Sequence, residues 1–75
     1  MATWDVKLFA YLREQYGSSV TIEAEPNVTA ILQALTDKGI KTDSCRLAIG
    51  DEFGRGNQAV PLNSKLSLIP PVSGG

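Results

Sequence analysis

The chain closes on Gly74 and Gly75, and the group with most chemistry to offer there is a carboxylate rather than a side chain. A free α-carboxyl group has a reference pKa of ~3.3–3.7, so at neutral pH it is ionised and a poor electrophile. It becomes an acyl donor only after activation, for instance as a mixed anhydride with AMP. No GxxxxGK[ST] phosphate loop occurs in the sequence, so the nucleotide site must belong to a partner. The approach to the carboxylate is also patterned. Pro70 and Pro71 lack N–H donors and favour extended polyproline geometry, which ends a sheet and projects the chain outward. Val72 and Ser73 follow, and the bare glycines can pass a narrow channel and accept the dihedrals it imposes. Fully stretched, residues 70–75 reach ~20 Å at ~3.3–3.6 Å per residue.

Other reactive groups are few. There is no histidine, which removes the commonest general base and the commonest metal ligand. Cys45 stands alone, so no internal disulfide can form, in keeping with a reducing, cytoplasmic setting. Without a histidine to activate it, Cys45 reads as a structural thiol. The seven Lys and Arg are scattered and the net charge is −1, so no basic surface for nucleic acid is indicated. No apolar run approaches the ~20 residues of a membrane span, and the first residues lack the pattern of a signal peptide. Seventy-five residues make one small domain with a modest core. A deep enclosed substrate cleft of roughly 300 Å³ or more is not expected of it. Autonomous catalysis is therefore not expected.

The elements that would present this tail follow from periodicity. Residues 4–10, WDVKLFA, alternate with Trp4, Val6, Leu8 and Ala10 on one side and Asp5, Lys7 and Phe9 on the other, which reads as a strand. YLREQYG suits a short helix stopped by Gly17. SSVTIEAE is β-branched and alternating, and so close to the first strand that antiparallel pairing is expected. PNVTAILQALTDKGI reads as the main helix. Asn27 caps it, Val28, Ile31, Leu32 and Leu35 form its apolar stripe, and Gly39 ends it. CRLAIG forms a third strand with Leu47 and Ile49 inward. A short edge strand is expected near Gln58–Val60, and KLSLI forms the last strand. One helix laid across a mixed sheet buries the stripe most simply, with the last strand parallel to the first.

That arrangement leaves Phe9 and Ile69 on the side away from the helix, with Phe53 in the loop after the third strand able to join them. Exposed apolar patches of this kind mark partner surfaces, although scattered surface hydrophobes are also normal.

At this point VKLFAYLRE (Val6–Glu14) together with LSLIPPVSGG (Leu66–Gly75) resembles the small subunit of molybdopterin synthase, the MoaD-like, ubiquitin-like sulfur carriers. The resemblance covers nearly the whole chain. It implies an α+β β-grasp fold: a mixed five-stranded sheet, one main helix packed across it, and a short helix after strand one. Residues 1–69 would form the domain and 70–75 an extended, flexible tail. It also implies a role in molybdenum cofactor biosynthesis. A ubiquitin-activating-type adenylyltransferase using ATP-Mg would adenylate the Gly75 carboxylate. A sulfurtransferase or cysteine desulfurase would supply the sulfur for a thiocarboxylate. Pro70, Pro71, Val72, Ser73 and Gly74 would enter the large subunit of molybdopterin synthase, which carries the catalytic residues. There, in a heterotetramer, sulfur would pass to cyclic pyranopterin monophosphate, giving molybdopterin. Phe9, Phe53 and Ile69 match the family's partner-binding surface. No cofactor or metal is expected on this chain.

The sequence departs from that family in the turn before the last strand. Leu62–Leu66 reads LNSKL where an Asp-containing turn is common, and the glycine-rich loop 51–58 matches poorly. Thiamin-pathway carriers share the fold and the Gly-Gly end, and carriers for tRNA thiolation, cysteine formation or tungsten cofactor stay open. So do a ubiquitin-like protein modifier, joined through Gly75 to a lysine, and a plain interaction module.

Overall fold

The computed structural model describes residues 1–71. Its elements run β1 (Ala2–Leu8), α1 (Ala10–Tyr16), β2 (Ser19–Ala24), α2 (Val28–Asp37), β3 (Arg46–Ile49), β4 (Glu52–Phe53) and β5 (Leu66–Ile69). The strands form one mixed sheet in the order β2-β1-β5-β3-β4. β1 pairs antiparallel with β2 and parallel with β5, as the short first connection and the required exit of the last strand predict.

The alternation in β1 settles which face is the core. Trp4, Val6 and Leu8 are buried while Thr3, Asp5 and Lys7 are exposed. In β5 the partners of Val6 and Leu8 are Leu66 and Leu68, both buried, and Leu68 pairs onward with Leu47. Helix α2 closes this face with Val28, Ile31 and Leu35. Leu12 of α1, Ile40 and Val60 complete the core. Trp4 anchors the first strand by packing, and its indole N–H donates to the Ala24 carbonyl at 3.0 Å. Asn27 caps α2 as expected, its side-chain oxygen accepting the Ala30 N–H at 2.7 Å.

The main differences from the sequence reading lie at β1, which also starts two residues earlier at Ala2, and at the fourth strand. β1 ends at Leu8, because Ala10 adopts a left-handed φ of 52° and starts α1 rather than continuing the strand. Phe9 between them stays extended, with φ −128° and ψ 161°. The fourth strand is Glu52–Phe53, not Gln58–Val60, which makes a single bridge between Asn27 and Ala59. The signal for β4 is the Gly50-Asp51 pair. It joins residues paired as Ile49 and Glu52, with positive φ at Gly50 alone, which is the Gly-X pattern of a tight type II′ hairpin.

The glycine-rich segment after β4 is pinned to the start of α2. Gly54 N–H donates to the Leu47 carbonyl at 2.8 Å. A Cβ at Gly54 would lie 2.7 Å from Val28 Cγ2, so any larger residue would force Val28 to shift. The Asn57 side-chain oxygen accepts the Thr29 N–H at 3.3 Å, and Val28 N–H donates to the Gln58 carbonyl at 2.9 Å.

Candidate functional site

Cross-strand partners share a face, so the register assembles the surface opposite α2. Lys7 pairs with Ser67, Ser67 with Ala48, and Ala48 with Phe53. One step along, Ile69 pairs with Arg46, and Phe9 follows Leu8, the partner of Leu68. Since Leu8 and Leu68 point into the core, the extended Phe9 and Ile69 turn to the open face. Phe9 is 42% and Phe53 46% exposed, Ile69 is half-buried, and Ala48 is buried among them. The structure thus places Phe9, Ile69 and Phe53 on one face of the sheet. The left-handed Ala10 folds the chain away immediately after Phe9, so α1 does not cover the ring.

Arg46 belongs to this face, although the sequence reading did not single it out. Its guanidinium carbon stands 5.1 Å from the Phe53 ring centroid, within cation–π range. The signal was present in the alternation of CRLAIG, which sets Arg46 and Ala48 opposite the inward Leu47 and Ile49. What alternation does not reveal is the hairpin that lays Phe53 beside them.

A broad trough of about 720 Å³ runs over the same face, bordered by Asp5, Lys7, Phe9, Ser67 and the loop residues Ser64 and Lys65. It lies open along the sheet and mixes both charge signs, so it encloses no substrate. Lys65, where the resembling family often has an acid, stands on its rim.

Of the expected tail, Pro70 is buried and Pro71 exposed, so the packed domain extends to Pro70. Val72, Ser73, Gly74 and Gly75 lie outside the described residues. The strand that leads to them ends beside Arg46 and Phe9.

Cys45 is half-buried just before β3, with its thiol 3.7 Å from the Lys41 carbonyl. Burial pushes the thiol pKa up, partly offset by the neighbouring Tyr11 hydroxyl, so it stays protonated at neutral pH. No helix among the described residues is long and apolar enough to cross a membrane.

A parallel first and last strand at the centre of a five-stranded sheet, crossed by one main helix, is the ubiquitin-like β-grasp. The crystal structure of SAMP1 from Haloferax volcanii, a ubiquitin-like small archaeal modifier, superposes with a TM-score of 0.73 and 29% sequence identity. The match covers 99% of this chain and 100% of that one. A search of the curated proteins returns no match. The ThiS family model matches residues 6–75, and the chain belongs to the ThiS family of ubiquitin-like sulfur carriers. Proteins of this kind generally work with activating enzymes and partner enzymes.

Proposed function

We propose that this carrier serves molybdenum cofactor biosynthesis as the small, non-catalytic subunit of molybdopterin synthase. The observation that carries the proposal is the run from β5 into IPPVSGG, beginning beside an open apolar face formed by Phe9, Ile69 and Phe53. Two separated stretches, Val6–Glu14 and Leu66–Gly75, resemble that subunit, and the parallel β1–β5 pair sets Val6–Leu8 of the first beside Leu66–Leu68 of the second.

The chemistry proceeds at the Gly75 carboxylate. An oxygen of it attacks the α-phosphorus of ATP on the activating enzyme, and pyrophosphate leaves. A persulfide sulfur from the donor enzyme then attacks the acyl carbon, and AMP departs with the original oxygen. A thiol reduces the resulting acyl disulfide and frees the thiocarboxylate. In the large subunit the thiocarboxylate sulfur bonds to a carbon of cyclic pyranopterin monophosphate and displaces an oxygen there. Water then cleaves the resulting thioester, leaving the sulfur on the pterin and returning the carrier to its carboxylate, and a second charged carrier supplies the second sulfur. This chain contributes the reacting C-terminal acyl group and its delivery; the acid–base groups belong to its partners. The domain supplies a rigid platform, and the apolar face seats it on each partner in turn.

The test is reconstitution with the activating enzyme, sulfur donor and large subunit from the same organism. Intact mass spectrometry should show the carrier heavier by the difference between sulfur and oxygen, and molybdopterin should form. Deleting Gly74–Gly75 should abolish both. Molybdopterin formation that survives the deletion, or a thiocarboxylate that never yields molybdopterin, overturns the reading.

A second reading is favoured by the likeness to SAMP1. Here the same adenylate is intercepted by a lysine amine, giving an isopeptide bond instead of a thiocarboxylate. Peptide mapping that finds Gly75 amide-linked to other proteins supports it.

A further inference from the structure

We infer that the cleft between Arg46 and Arg55, at the edge of the apolar face, receives an acidic side chain of the activating enzyme. A cleft of about 400 Å³ is lined by Arg46, Phe53, Gly54, Arg55 and Gly56. Its charged members are both arginines, the side chain best shaped to hold a carboxylate in two parallel hydrogen bonds. Among the described residues neither forms an ion pair. The nearest acid along β4, Glu52, pairs with Ile49 and so projects to the other face from Phe53. In a chain of net charge −1, the lining of this cleft holds two positive charges and no acid.

The cleft is also held in shape before any partner arrives. Phe53 supports the Arg46 guanidinium from below at 5.1 Å. Gly54 is locked against Val28 and Leu47. The Arg55 N–H donates to the Gln58 side-chain oxygen at 3.1 Å, and the Gln58 N–H returns to the Arg55 carbonyl at 3.0 Å. Both arginines are exposed, so they meet a partner without prior rearrangement. Arg46 pairs directly with Ile69, the last residue before the tail proline Pro70. A carboxylate seated here therefore fixes the rotation of the carrier about the apolar contact and aims the tail. An apolar patch alone supplies affinity with little orientation; a desolvated charge pair at its rim supplies register and faster encounter. The inference rests on the carrier reading only for the partner's identity. The site's preference for carboxylate follows from the two arginines.

Two measurements test it separately from the molybdenum assignment. In the first, the ¹⁵N-labelled full chain is titrated with tetraglutamate at low ionic strength. Amide shifts should concentrate at Arg46, Phe53, Arg55 and Gly56 and vanish in the Arg46→Gln/Arg55→Gln variant. Shifts centred on Lys7 and Lys65, or unchanged in the variant, overturn the proposal. In the second, ATP–pyrophosphate exchange is followed with the activating enzyme from the same organism. Arg46→Glu/Arg55→Glu should raise KM for the carrier roughly tenfold at low salt with kcat unchanged. Arg46→Lys should give a KM between those of the parent and the double variant, since it keeps the charge but not the two-pronged geometry. The gap should narrow at high salt, where screening weakens the pair. An unaltered KM in a variant with parental thermal unfolding overturns it. Pyrophosphate exchange precedes any sulfur chemistry, so failure of the molybdenum reading leaves this arm intact. If no carrier supports exchange, the carrier reading falls and the peptide titration decides alone.

Discussion

Adjacent residues in this chain have opposite duties, and the clearest pair is Leu8 and Phe9. Leu8 is 1% exposed in the core, while Phe9 is 42% exposed on the open face. Leu8→Ala is expected to cost about 2–5 kcal/mol through lost burial and the cavity left behind. Phe9→Ala is expected to leave the unfolding midpoint nearly unchanged while weakening complex formation with the activating enzyme. Denaturant titration and binding measurements separate the two, and equal stability losses would refute the assignment of faces. Cys45 gives a second check. Its raised pKa lowers the thiolate fraction at neutral pH below that of an exposed cysteine. Alkylation by iodoacetamide should be slow near neutrality and accelerate only above the ordinary thiol range, and Cys45→Ser should adenylate normally. A rate matching free cysteine at neutral pH would contradict the burial argument. Both residues were legible in the sequence, Phe9 by alternation and Cys45 by the absence of any histidine. Arg46 was not, because its significance depends on Phe53 lying beneath it.

Among the elements, the strong ones were readable and the weak ones were not. α2 announces itself by Asn27, its apolar stripe and Gly39, and its expected properties hold in the fold. Asn27→Ala should cost about 1 kcal/mol, because the Ala30 N–H loses its 2.7 Å acceptor. β4 is two residues long, too short for any periodicity to register. Its neighbour, the segment from Gly54 to Val60, looks like a loose glycine-rich loop but is tied to the start of α2. Gly54→Ala should therefore destabilise the protein measurably, since the new methyl meets Val28 Cγ2 at 2.7 Å. The double variant Gly54→Ala/Val28→Ala should lose less than the sum of its parts, as expected where one side chain causes the clash. Simple additivity in thermal unfolding would show that the loop is free to move.

For the molecule as a whole, the β-grasp solves a problem of delivery. A small domain cannot enclose a substrate, but it can hold its last strand at the centre of a sheet and release the chain beside an apolar face. If that face seats partners, Phe53→Ala should raise KM in ATP–pyrophosphate exchange while leaving kcat intact, since the phenyl ring carries no group that takes part in the acyl chemistry. A fall in kcat with KM unchanged would place Phe53 in the chemistry instead and refute the docking role.

The amino-acid order was enough to define the helix, the strands with clear alternation, the absence of histidine and the PPVSGG pattern. These are local properties, written in periods of two and 3.6 and in the chemistry of single residues. The strand register and the folding-back of the Gly50-Asp51 hairpin belong to the assembled fold. Alternation and an assumed parallel pairing of first and last strands already put Phe9 and Ile69 on one face; the fold decides that Phe53 is laid on it by a hairpin and that Arg46 stands beside it. No local pattern encodes the meeting of Arg46 with Phe53, because the register is fixed only when burial of Leu8, Leu47 and Leu68 locks neighbouring strands in step.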